Sequence, residues 1–195
     1  MPDNALPERR VQTLTDARAL AALANPFRSR MLDALAVDGP STASALAKRT
    51  GQAVGSASHH LKVLSAAGLV EEAPELARDR RERWWRLVAP STRWSRSEFA
   101  DDAGAVSAAL AAESVALQRQ FERARDWLAN SESAGVWDAS AFATQIWISL
   151  SPDELRTLSD ELNALLHRWR HREIPDGGAE REDVFLFARG FPAQP

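Results

Sequence analysis

Ser56, Ser58, His59, His60 and Lys62 crowd into seven residues, Ser-Ala-Ser-His-His-Leu-Lys. Serine hydroxyls donate and accept hydrogen bonds, imidazoles do either according to tautomer, and an ammonium donates to anionic oxygen. These groups suit phosphate oxygens and base edges. A second set follows at Arg78, Arg80, Arg81 and Arg83, four arginines within six residues. Two other groupings invite a metal reading. His59 and His60 are adjacent, so on a helix they point about 100° apart and share one ion poorly. His167 and His171 stand at i, i+4, which would let both reach one ion. Arg168, Arg170 and Arg172 gather around them, and positive charge at a helix end already suits the helix dipole. Neither pair is therefore taken as a metal site, and no cofactor is expected.

The elements that position the first set are legible around it. Asn25-Pro26 reads as an N-cap with proline at the first helical position. Phe27, Met31, Leu32 and Leu35 follow at helical spacing, and Gly39-Pro40 ends that helix. A short helix is predicted over 41–50, capped by Ser41, with Leu46 inward. After the turn 51–54, a second helix is predicted over 55–67, burying Ala57, Leu61 and Leu64, with Gly68 at its C-terminal end. The polar set lies on the face opposite those leucines. A hairpin comes next, 69–72 running up and 83–88 returning, with the arginine set at its tip. Trp84 and Trp85, on successive strand positions, point to opposite faces.

Two short helices joined by a tight turn and followed by a cationic hairpin can lay the second helix in a DNA major groove, with the hairpin against the backbone or minor groove. Residues 20–88 resemble the ArsR-type (arsenical-repressor-like) winged helix-turn-helix family. The matching pieces are Leu23-Ala24-Asn25-Pro26-Phe27-Arg28, Ser58-His59-His60-Leu61-Lys62-Val63-Leu64 and Ala67-Gly68-Leu69-Val70. The resemblance covers about a third of the chain. It implies a homodimer on a palindromic operator, usually a repressor released by a signal. Metal-sensing members often use cysteines, or Asp and His pairs on the dimer helix. This chain has no cysteine, and residues 94–130 have no histidine.

The remainder reads as two further blocks. Residues 94–130 carry Phe99, Val106, Leu110, Val115, Leu117, Phe121 and Leu128 among alanines, which predicts one long helix or two abutting ones. A loop is expected over 131–140, then a strand over 142–150. Ser151-Pro152-Asp153-Glu154 is a capping box opening a helix that carries Leu155, Leu158, Leu162, Leu165 and Trp169. A second short strand is expected over 183–188. Trp147 and Trp169 are the candidate lining of an effector pocket, against the commoner reading as core.

The expected fold is mainly α with a small β component. It comprises an arm at 1–15, a winged helix-turn-helix domain at 16–90, a long dimerisation helix at 91–130 and a C-terminal strand–helix–strand block at 131–195. Residues 1–90 hold 13 Lys or Arg against 10 Asp or Glu, and residues 91–195 hold 11 against 17, so the balance moves from +3 to −6. Only the front half is suited to a polyanion. The N-terminal segment has no apolar core of a secretory signal, and no apolar run approaches a membrane span, so a cytoplasmic location is expected. Paired acids with a nucleophile, a phosphate loop and a zinc motif are all missing from the pattern, so an enzyme is not expected. Double-stranded DNA and a second copy are the expected partners, with a small-molecule effector as a further candidate. The rival readings are a winged-helix protein-interaction module without DNA binding, and a sensor whose ligand occupies the C-terminal block.

Overall fold

The computed structural model describes residues 12–79, 82–94, 99–130, 135–174, 178 and 181–194. It divides into two compact units, Met1–Arg123 and Ala124–Pro195.

In the first unit, β1 (Gln12–Thr13) precedes α1 (Ala17–Leu23) and α2 (Pro26–Asp38). Asn25 caps α2 as its sequence predicts, its side-chain oxygen accepting from the amides of Phe27 and Arg28 at 3.0 and 3.1 Å. Arg28 turns back to α1, donating to the carbonyls of Ala22 and Ala21 at 2.7 and 2.9 Å. Those are carbonyls that the end of α1 leaves without helical partners. Ser29 is buried, and its hydroxyl donates to the Leu23 carbonyl at 3.0 Å.

The turn after α2 passes through Gly39 at φ 78° into β2 (Ser41–Thr42) and α3 (Ala43–Thr50). The predicted cap at Ser41 moves one residue on: Thr42 accepts from the Ala45 amide at 3.3 Å. The reason is tertiary, because Ser41 and Thr42 pair with Trp85 and Trp84 of β4. Helix α4 (Val54–Ala66) follows, and Gly68 adopts φ 67° beyond its end. The hairpin forms as predicted: β3 (Val70–Glu72) pairs antiparallel with β4 (Trp84–Leu87), giving a sheet of order β2-β4-β3. A 3-10 turn, Pro74–Leu76, lies between them. Of the two hairpin tryptophans, Trp85 is buried and Trp84 half-buried. β5 (Thr92–Arg93) pairs in parallel with β1.

One core unites these elements: Leu20, Met31, Leu35, Leu46, Leu61, Leu64, Val70 and Trp85 pack with Phe99, Ala105 and Ala109. The last two belong to α5 (Ala103–Asn130). The expected helix over 94–130 thus begins later. Asp102 stops it from starting earlier, its carboxylate accepting from the amides of Gly104 and Ala105 at 2.9 and 3.0 Å. Small side chains at Ala105, Ala109 and Ala112 let α5 approach the domain closely.

The second unit holds α6 (Val136–Ser140) and α7 (Pro152–Arg170). The short α6 replaces the latter half of the loop expected over 131–140. The Ser151 capping box is present, with Glu154 accepting from the Ser151 amide at 2.7 Å and Ser151 accepting from Glu154 at 3.3 Å. Residues 142–150 and 183–188 form no paired strands. Alternating side chains permit a strand, but a ladder needs a second strand alongside, and none stands beside either segment among the described residues.

Candidate nucleic-acid interface

Helix α4 presents two distinct sides. Ala57, Leu61 and Leu64 are wholly buried, while His59 and Lys62 are exposed and Ser56 and Ser58 half-buried. This division follows from the sequence, since positions 57, 61 and 64 recur on one face of a 3.6-residue helix. Ser56 donates to the Gln52 side chain at 3.4 Å. Gln52 is an addition to the predicted set, standing in the turn just before α4, where helix N-termini meet bases or phosphates. The first turn of α4 has no side-chain cap: its N-cap is Ala53, and Val54 and Gly55 beyond it are exposed.

His60 departs from the rest of the set. Its ring stacks on Phe27 of α2, centroids 6.2 Å apart, and its Nδ1 is buried with no partner in the described structure. Burial holds its pKa below the ordinary 6.5, and the nearby charges of Arg28 and His59 act in the same direction. A neutral ring packed on a neighbouring helix braces α4.

The hairpin tip is cationic but partly compensated. Arg78 and Arg83 are exposed, and Arg83 pairs with Glu72 at 3.4 Å. Arg80 and Arg81 lie outside the described residues. Arg86, which the pattern of the tip did not single out, is paired with Glu71 at 2.9 Å and with Glu75. Hydrogen bonding to Glu71 raises its pKa. The Arg78 amide donates to Glu82 at 3.0 Å, which holds the Glu82 carboxyl below its usual range.

Helix α5 is fastened to α2 by charge. The Asp33 carboxylate meets the guanidinium groups of both Arg119 and Arg123. Burial, and after it repulsion from Arg123 and Arg30, lowers the Arg119 pKa to about 10, so it still carries its charge at neutral pH. Trp147 and Trp169, in the second unit, are 60% and 58% exposed. His171 accompanies His167 by stacking, centroids 4.2 Å apart, and no group of three or more metal-ligating side chains occurs among the described residues.

Residues 23–73 match a family described as a helix-turn-helix domain. Its span runs from the end of α1 through α4 to just past β3. Among solved structures, the chain is similar to a homodimeric winged helix-turn-helix DNA-binding domain from Mycobacterium bovis, fragment 1-100 of a possible ArsR-family transcriptional regulator. That similarity amounts to 27% identity over 58% of this chain and 81% of that one, with a TM-score of 0.33. No curated protein matches the chain. No helix among the described residues is long and apolar enough to cross a membrane.

Proposed function

We propose that this chain is a DNA-binding transcription regulator of the ArsR type, acting as a homodimeric repressor on a palindromic operator. The observation that carries this reading is the build of α4: one side locked into the core by Leu61 and Leu64, the other offering Ser56, Ser58, His59 and Lys62. In the proposed complex α4 occupies the major groove, and Arg78, Arg80, Arg81 and Arg83 contact the backbone from the hairpin. Exposed Leu110, Phe121 and Leu128, with half-buried Leu117 between them, recur on α5 at steps of seven and four. That stripe supports α5 as the dimer helix. Two-fold symmetry then places the half-sites about one helical turn apart.

Gel-shift titration against genomic fragments, repeated at several salt concentrations, tests the reading. Affinity that falls steeply with salt is expected. A folded dimer that shifts no fragment at low salt would overturn it.

Paired Arg83 and Arg86 favour one rival, a protein-interaction module, because their charge is already partly neutralised by Glu71, Glu72 and Glu75. Exposed ion pairs are weak, though, at about 0–1 kcal/mol. A sensor reading has support in the first unit rather than the second. A cleft of about 230 Å³ is lined by Leu32, Asp33, Leu87, Trp94, Ala112 and Arg119, all between the domain and α5. Native mass spectrometry of the purified chain tests for an occupant.

A further inference from the structure

The cleft between the domain and α5 has mostly apolar walls, with Leu32, Leu87, Trp94 and Ala112 around about 230 Å³. A cavity of about 150 Å³ holds benzene, so this one has room for a single ring and a short substituent. Two of its polar groups are already engaged. The Ser29 hydroxyl donates to the Leu23 carbonyl at 3.0 Å, and the Asp33 carboxylate is shared between Arg119 and Arg123.

Two donors on the same walls are not engaged. Trp94 Nε1 and Arg119 Nε are both buried with no hydrogen-bond partner among the described residues. Asp33 meets Arg119 through a terminal nitrogen, which leaves the Nε edge of the guanidinium over. The large majority of buried polar groups in folded proteins have a partner, so a pair of unpartnered donors in one lining calls for an acceptor.

Charge narrows the kind of acceptor. Arg123 and Arg30 stand close enough to repel Arg119, and Glu122 attracts it. Three arginines against Asp33 and Glu122 leave one positive charge in excess, which one negative charge balances. A dianion such as phosphate would meet Asp33 in the same lining and would leave the apolar walls uncovered. A carboxylate carries one charge and about four lone-pair sites on two oxygens, enough for both donors.

We propose that this cleft binds a small aromatic monocarboxylate, its ring against Leu32 and Leu87 and its carboxylate accepting from Arg119 and Trp94. The site deepens the sensor reading given above and rests on it, although occupancy itself requires no DNA.

Phenylacetate is the probe, with phenylacetamide as its neutral counterpart and inorganic phosphate as the anion without a ring. The titrations use full-length protein that native mass spectrometry shows to carry no small molecule. The chain has seven tryptophans, and the indole N–H resonance of Trp94 is the one that Trp94→Phe removes from the NMR spectrum. Phenylacetate should move that resonance downfield and saturably, binding at least about tenfold more tightly than phenylacetamide. Ala116→Leu, which fills the cleft from α5, should abolish the shift while circular dichroism keeps its helical signal. Arg119→Lys keeps the charge but removes Nε, and should weaken binding by about tenfold. If that variant does not fold, Ala116→Leu decides alone.

No movement with phenylacetate would mean that water serves the two donors, and would overturn the proposal. Equal binding of phenylacetamide, or tighter binding of phosphate, would overturn the ligand class. A shift that survives Ala116→Leu would place the ligand elsewhere and overturn the site. Saturable binding in a chain that shifts no DNA would leave the site standing and remove the proposed regulator. DNA binding without any response to phenylacetate would do the reverse.

Discussion

His60 of α4 lies nearly parallel to Phe27 of α2, ring planes 19° apart, while the Arg30 guanidinium sits 5.6 Å from the centre of the same phenyl ring. The helix that carries the polar set is thereby seated on the helix that opens the domain. The seat is apolar, so it favours the neutral imidazole over imidazolium.

That preference has a pH signature. A histidine whose folded pKa is depressed contributes its full stability above the unfolded value of 6.5, and loses it as pH falls through that value toward the lower folded one. Thermal denaturation of the wild type and of His60→Phe between pH 7.5 and 5 should therefore diverge, with the wild type losing more stability on acidification. Parallel curves would show that His60 does not titrate against folding.

Lys62 and His59 should separate in their effects on DNA. Lys62→Ala removes one cation, so it should weaken binding to all sequences alike and lower the salt slope by about 0.9. His59→Ala should change base preference, by about 1–3 kcal/mol at one position if the ring reads a base edge. Competition binding against a randomised operator distinguishes the two outcomes, and uniform weakening by His59→Ala would reassign it to phosphate or packing.

Asp33→Asn leaves Arg119 and Arg123 without their shared carboxylate, and Arg119 is the more buried of the two. Asp33 itself is 39% exposed, so solvent screens part of the loss. A destabilisation of about 1–2 kcal/mol is expected by urea denaturation, between the values for exposed and buried pairs. No change in midpoint would mean that water replaces the carboxylate fully.

Two glycines should respond in opposite directions. Gly68 sits at φ 67° with nothing nearer than Gln12 to a new side chain, so Gly68→Ala should cost about 1–2 kcal/mol through backbone strain alone. Gly55 lies within α4 with open space around it, so Gly55→Ala should stabilise the fold by roughly 0.5–1 kcal/mol. The same methyl group stands on the proposed groove side, and DNA affinity should fall even as the melting temperature rises.

Local signals were the ones that sequence carried best. Asn25-Pro26, the Ser151–Glu154 capping box and Gly68 each specify a boundary through chemistry within a few residues. Leu61 and Leu64 fixed the orientation of α4 by periodicity alone. What escaped was set from a distance. Thr42 became the cap of α3 because β4 claims Ser41 and Thr42 for a ladder. His60 looked like its neighbours until Phe27, 33 positions earlier, packed beneath it. Residues 142–150 alternate as a strand should, but alternation does not supply the strand beside them.

In a dimer held through α5, the pairing of Asp33 with Arg119 and Arg123 acquires a geometric meaning. One carboxylate sets the angle at which each arm leaves the hinge of a pair of calipers, and the tips of those calipers are the two α4 helices. Loosening it by one carboxylate oxygen would leave both tips intact and alter the distance they can measure.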